Sequence, residues 1–233
     1  MQEKVDLKVD WATHEAAKYA CLNWHYSKSV PVPPLVKIGA WENNCFIGVI
    51  IFSRGANNNL LKAFDIDITE GCELVRIALS KHKSFVSEIM SKSILFLKKE
   101  NARVRLLVSF ADPSEGHHGG IYQATNWIYT GKQQDSIEYI SPSGKRVHGR
   151  MVKKKGWTVC MGKVRKTLTP EQCVPVVKPG KHRYLMPLDK KMRKQILPLA
   201  QPYPKRSKQA MDATSVTEMG QHQSDRSTEA SHA

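Results

Sequence analysis

The sequence predicts an α/β protein: a mixed central sheet flanked by helices, with a basic C-terminal extension and a polar tail. Three observations lead there. Strand and helix periodicities alternate along residues 13–131. Two strand-to-helix units adjoin, at 72–101 and 104–127. The charge is divided. Between Lys132 and Lys208 stand 20 Lys and Arg against 4 Asp and Glu, while the rest of a chain of net charge +15 is close to neutral.

Residues 13–26 (THEAAKYACLNWHY) set apolar side chains at helical spacing, with Thr13 placed to cap the helix. Pro31, Pro33 and Pro34 end it, because each lacks an amide donor and drives its predecessor extended. VKIGAWENNCFIGVIIFSRG reads as a hairpin, strands 36–41 and 45–53 about a turn at Asn43-Asn44. CELVRIAL (72–79) alternates as a strand does. SFVSEIMSKSILFLKKEN (84–101) is an amphipathic helix, with Ser84 as cap and Lys98 and Lys99 where the helix dipole favours cations. VRLLVSF (104–110) is apolar throughout, as a central strand is. GIYQATNW (120–127) is a short helix, and IYTG opens another strand. Beyond 132 come a hairpin turning at Pro142-Ser143-Gly144, a strand or loop at MVKKKGWTVCMGKVRK, and a short basic helix at 188–197. From about Gln201 the composition is that of a disordered tail. The expected units are therefore a core at 1–131, a basic completion of the core at 132–200, and a basic arm and tail at 201–233.

The 233 residues suffice for one sizeable core. No run of about 18 apolar residues occurs, so no membrane span is expected. Cysteines stand at 21, 45, 72, 160 and 173, odd in number and without a CxxC pair. That pattern predicts reduced thiols in a cytosolic protein rather than a disulfide framework or a zinc site. Charge dominated by one sign over so long a stretch points to a polyanion, double-stranded DNA first. The basic runs are short and broken by Gly, Pro and aromatics. Lys153-Lys154-Lys155, Lys181 with Arg183, and a flexible arm bearing Lys205 and Arg206 suit contact with phosphates more than the reading of bases. A monomer and a homodimer both remain open.

The chemistry concentrates in SFADPSEGHHGGIYQATNWIYTG (109–131), where a polar turn joins two segments that look buried. Asp112 there is either a turn-starting Asx or a general base or metal ligand. Ser114 and Tyr122 are expected to converge on it, with Gly116, Gly119 and Gly120 letting backbone N–H groups approach a ligand. Adjacent His117 and His118 point in different directions on most backbones, which disfavours joint metal binding. Arg76, an unusual charge in a buried-looking strand, either pairs with Glu73 or a neighbour or meets an anion in the crevice.

The order of elements resembles the GNAT acetyltransferase fold. GGIYQATNW falls where that superfamily shows a Gly, a Tyr and a Gly-Phe pair; Asn126-Trp127 stands in place of the pair. HYSKS, ELVRIAL, SFADPSEGHHGGIYQATNWIYTG and a later HGR, in that order, resemble the Mom family of phage DNA-modification proteins over most of 14–150. The resemblance implies a transferase converting adenine in DNA to N6-carbamoylmethyladenine, which protects phage DNA from restriction in the host cytoplasm. It implies Tyr122 as a general acid, and His25, Tyr26, Ser27 and Lys28 as a second wall of the pocket, Lys28 facing DNA. Cofactor contacts are expected from Arg76, Gly119 and Gly120. It leaves open a mononuclear iron held by His25, Asp112 and Tyr122. SKHKSFVSE (80–88) lacks the glycine turn that cradles the CoA pyrophosphate in acyl-CoA-using members, which argues against acetyl-CoA. Two rivals remain: an acyl-CoA N-acetyltransferase acting on a protein or small amine, and a non-catalytic nucleic-acid-binding protein.

Overall fold

The fold is taken from a computed structural model that describes residues 5–55 and 59–205. LKVDW alternates and forms β1 (Leu7–Trp11), a strand with no counterpart among the expected elements. Helix α1 (His14–Trp24) follows, and Thr13 Oγ1 accepts the Ala16 N–H at its start, as expected. β2 (Leu35–Glu42) and β3 (Cys45–Ser53) form the expected hairpin, with Asn43 and Asn44 both at positive φ in the turn. β4 (Gly71–Leu79), α2 (Val86–Glu100), β5 (Leu106–Ala111), α3 (Gly120–Ala124) and β6 (Ile128–Lys132) come next. One expectation fails within α2. Its cap is Phe85, with no side-chain cap bond, because Ser84 is engaged elsewhere.

The chain then leaves the core. β7 (Ser136–Ile140) and β8 (Arg146–His148) form the hairpin expected about Gly144. β9 (Trp157–Cys160) and β10 (Lys163–Lys166) form a second hairpin, and β11 (Val174–Lys178) pairs back onto β7. β12 (His182–Pro187) and α4 (Lys190–Ile196) return to the core. The tail expected from about Gln201 begins later: the Gln201 N–H donates to the Tyr129 carbonyl at 2.8 Å and the Tyr203 hydroxyl to the Trp127 carbonyl at 2.7 Å, while Arg206 onward lies outside the described residues.

The central sheet has the order β1-β2-β3-β4-β5-β12-β6. Only β4 and β5 run parallel; every other neighbouring pair is antiparallel. This is the expected mixed sheet with helices on its faces. Small residues let α1 lie close on one face, where Ala17, Ala20 and Cys21 pack against Val49, Ile51 and Ala78. On the other face α2 buries Ile89, Met90, Ile94 and Leu97 against Ile38, Ile50, Phe52, Leu74 and Leu107. Each such side chain contributes roughly 1.5–3 kcal/mol. α4 buries Met192 and Ile196 against Leu106, Val108 and Leu185. Asp189 caps α4 by accepting the Met192 N–H, and it pairs with Arg105 at 2.8 Å, tying α4 to the entrance of β5.

Pairing between β4 and β5 covers only Gly71–Leu74 against Leu106–Ser109. Beyond Leu74 the β4 strand carries an irregularity in its register with β3, and β4 and β5 run on toward Leu79 and Ala111 without pairing with each other, each still paired on its outer side. A parallel pair that opens at its C-terminal ends leaves a crevice in the middle of the sheet.

Candidate functional site

Everything polar in the 109–117 turn is built on the end of β5. Asp112 is buried and accepts the Ser114 N–H at 3.1 Å through Oδ1, which also accepts the Ser114 hydroxyl. Oδ2 pairs with Lys181 Nζ at 3.2 Å. Burial pushes the Asp112 carboxyl up, but the Ser114 and Lys181 contacts outweigh it and hold it below the usual carboxylate range. Asp112 is thus ionised at neutral pH. Ser114 and Lys181 therefore serve Asp112.

Tyr122 does not join them. Its hydroxyl lies deeper, 2.7 Å from Ser109 Oγ, which in turn is 2.8 Å from the Leu74 carbonyl oxygen. Ser109 has one proton. If it donates to the carbonyl, Tyr122 donates to Ser109. Burial pushes the Tyr122 hydroxyl up to about 12, so it stays protonated. Ser109, which stitches the last paired rung of the open strands, has no signal in sequence beyond being a polar residue in an apolar run.

The opposite wall comes from the end of α1. His25 is buried, and its Nδ1 accepts the Ser27 N–H at 3.1 Å, which assigns the ring proton to Nε2. Burial, with the nearby charges of Arg76, His117 and Lys28, lowers His25 to about 4. It is a neutral imidazole at physiological pH. Tyr26 is half exposed, and its ring lies tilted against His25 at 4.2 Å and against His117 at 5.2 Å between ring centroids. Three rings from the two sides of the crevice thus meet. His117 has a part in this that its sequence position did not indicate.

Arg76 forms no ion pair among the described residues. Its Nη1 donates to the Val75 carbonyl at 2.8 Å, and its buried Nε has no hydrogen-bond partner. Its charge acts on His25, Tyr26 and Glu73. Glu73, weighed in sequence only as its partner, stands at the fork of β4 and β5, where burial pushes its carboxyl up. A cation with an orphaned buried donor beside a crevice is suited to an anionic group.

Gly116 stands in open space, while Gly119 and Gly120 serve packing as well. A Cβ on Gly119 would strike the Tyr184 ring at 2.3 Å, and on Gly120 would meet the His118 ring at 3.1 Å. Gly119, at φ 86°, lets Tyr184 pack beneath α3 and donate from its hydroxyl to the His118 carbonyl at 2.5 Å. These are packing positions.

The candidate phosphate contacts scatter. Lys153, Lys154 and Lys155 lie in the turn before β9, and Lys205 ends the described chain, exposed; Arg206 lies outside it. Lys28 donates to the Asn23 carbonyl at the end of α1. Arg183 is part-buried, donating to Thr130 Oγ1 at 2.8 Å and lying over the Phe64 ring.

His25, Asp112 and Tyr122 do not fit a preformed iron site. Metal ligands need free lone pairs on deprotonated donors. Here the Tyr122 hydroxyl stays protonated and is bonded inward to Ser109, away from Asp112, and His25 Nδ1 accepts from Ser27. No cluster of three His, Cys, Asp or Glu suited to a metal occurs among the described residues.

The glycine-free turn before α2 is filled from within. Glu42, buried at the end of β2, accepts the Lys83 N–H at 2.9 Å and the Ser84 N–H at 2.6 Å. Burial pushes its carboxyl up, but Ser84 and these amides hold it below the usual range. An incoming phosphate would have to displace a carboxylate.

Residues 6–205 match the Mom protein family. This chain belongs to that family. No curated protein matches it. Among solved structures it is similar to a Bacillus subtilis acetyltransferase in complex with CoA, at 16% identity and TM-score 0.43, covering 80% of this chain and 100% of that one. It is also similar to FeeM, an N-acyl amino acid synthase from uncultured soil microbes, at 12% identity and TM-score 0.47, covering 84% and 96%. No helix among the described residues of this Mom family member is long and apolar enough to cross a membrane.

Proposed function

We propose that this Mom family protein is a DNA-modifying transferase that converts adenine to N6-carbamoylmethyladenine in double-stranded DNA, protecting phage DNA from restriction in the host cytoplasm. The observation that carries the reading is the open end of the β4–β5 pair. There an ionised Asp112 lies near the tilted ring contact of Tyr26 and His117, beside an Arg76 with no ion-pair partner among the described residues. In this reading the target base leaves the duplex and lies against those rings. The adenine amine is a weak nucleophile because its lone pair is delocalised into the ring. As its bond to the donor's methylene carbon forms, N6 becomes strongly acidic, so even a carboxylate of low basicity takes its proton. Asp112 takes that role, and Ser114 and Lys181 hold it in place. The donor's bond to its leaving group breaks with both electrons, and Arg76 faces the anion released. Neutral His25 offers its Nε2–H as a hydrogen-bond donor that does not change charge.

The Glu42 plug supports a donor other than acetyl-CoA, since it occupies the amides that would receive a diphosphate. The test is nucleoside mass spectrometry of digested DNA from cells expressing the wild-type chain or Asp112→Asn. The expected result is carbamoylmethyladenine with the first and none with the second. Unmodified adenine in both, from folded protein, would overturn the proposal.

A further inference from the structure

The β9–β10 hairpin has no role in the crevice, and its sequence is odd for its shape. Its turn is Met161-Gly162, with φ of 51° and 73°. Two-residue turns with both φ positive favour Asn-Gly, because a side chain such as methionine resists the left-handed region. Met161 is nonetheless held there, 93% exposed. Behind it Val159 and Val164 stand directly opposite each other and share one face, 57% and 71% exposed. Trp157 extends the same face, with Lys155 Nζ 5.7 Å from its ring. An apolar tip that buries against nothing among the described residues gains burial from another molecule.

Charge identifies the kind of molecule. From Met151 to Thr169 there are six cations, Lys153, Lys154, Lys155, Lys163, Arg165 and Lys166, and no acidic residue. The partner is therefore strongly anionic outside and apolar within. Duplex DNA has that construction, with phosphates along the groove rims and stacked bases beneath, and its major groove admits a two-stranded ribbon.

We propose that the β9–β10 hairpin enters a groove of duplex DNA and that Met161 wedges between adjacent bases at its tip, unstacking the step so that a base can leave the helix. Lys163, Arg165 and Lys166 meet phosphates on the rims. The inference rests on the DNA reading above and adds the element that opens the duplex. Apolar side chains inserted at base steps are a general means of unstacking them.

The test uses the full chain and a duplex carrying 2-aminopurine, whose fluorescence rises on unstacking. Wild type is expected to raise the signal several-fold. Met161→Asn suits the turn better and should melt no lower than wild type, yet the rise should be lost while the duplex is still bound. Lys163→Gln/Arg165→Gln/Lys166→Gln should flatten the slope of log K against log salt by roughly 2–3, at about 0.9 per phosphate neutralised. An undiminished rise with Met161→Asn, or an unchanged salt slope, overturns the proposal while leaving the DNA reading intact. A wild type that binds no duplex overturns both. Tighter, Met161-dependent binding to vesicles of anionic phospholipid than to the duplex, at equal salt, would replace DNA by a membrane surface.

Discussion

Residues 1–131 and the 133–180 excursion between β6 and β12 are built on opposite plans. The first holds 15 basic and 13 acidic residues and supplies most of the buried core. The second holds 10 basic and 3 acidic residues, and of its side chains only Ser141 and Val152 are buried. Its two small sheets are held by strand pairing rather than by a core. Under the proposed function, the contrast follows from what each must do. Proton transfer needs groups fixed in position and shielded from water, and burial supplies both. Attraction to a polyanion works over distance and needs cations that stay hydrated until they meet it, so they gain from exposure. One chain serves both by looping the exposed part out of the sheet and returning through β12, which pairs β5 on one side and β6 on the other.

The comparison is sharpest where chemistry and binding separate. Asp112→Asn keeps the shape and removes the charge that accepts the proton. Modified adenine, read by nucleoside mass spectrometry, is expected to fall at least about a hundredfold while duplex affinity holds. A comparable loss of affinity would mean that the crevice and the basic part are one site. Lys153→Gln/Lys154→Gln/Lys155→Gln should do the converse. Affinity should weaken, with the salt slope falling by about 0.9 for each phosphate no longer neutralised, and the modified nucleoside should be unchanged in identity.

A third measurement concerns the burial of His25. Unfolded, it takes a proton near pH 6.5; folded, only near 4. Its depressed pKa therefore contributes stability that is present above pH 6.5 and is lost as pH falls toward 4, by up to ~3 kcal/mol. In denaturant melts His25→Gln should lose less stability than wild type across that window. Equal losses would place His25 in contact with water. Glu42→Gln should cost about 1–2 kcal/mol by weakening its bonds to the Lys83 and Ser84 amides. Calorimetry on wild type should detect no tight acetyl-CoA binding; stoichiometric binding would revive the acetyltransferase reading. The smallest effect belongs to Tyr122→Phe, about 1 kcal/mol of stability with product within a few-fold of wild type, because the hydroxyl bonds inward. A hundredfold loss of product would return Tyr122 to proton transfer.

Local patterns were legible in the sequence where local forces decide the outcome. Apolar spacing placed α1, α2, β3, β4 and β5, and the Asn43-Asn44 pair placed the first hairpin, because periodicity and left-handed turn preferences are properties of short segments. The one-signed charge of 132–208 and the Asp112-Pro113-Ser114 turn were likewise readable as they stand. Tertiary structure alone decided which distant groups meet. Lys181, read as a phosphate contact, lies 69 residues along the chain from Asp112 and reaches it only because β12 pairs with β5. Glu42 reaches the turn before α2 from the end of a strand 41 residues earlier. Tyr122 is drawn away from Asp112 to Ser109 by the packing of α3 under the open strands, and His117 onto Tyr26 by the approach of α1. Such meetings depend on the register of strands and the approach of helices, which the whole core sets together and no short segment encodes.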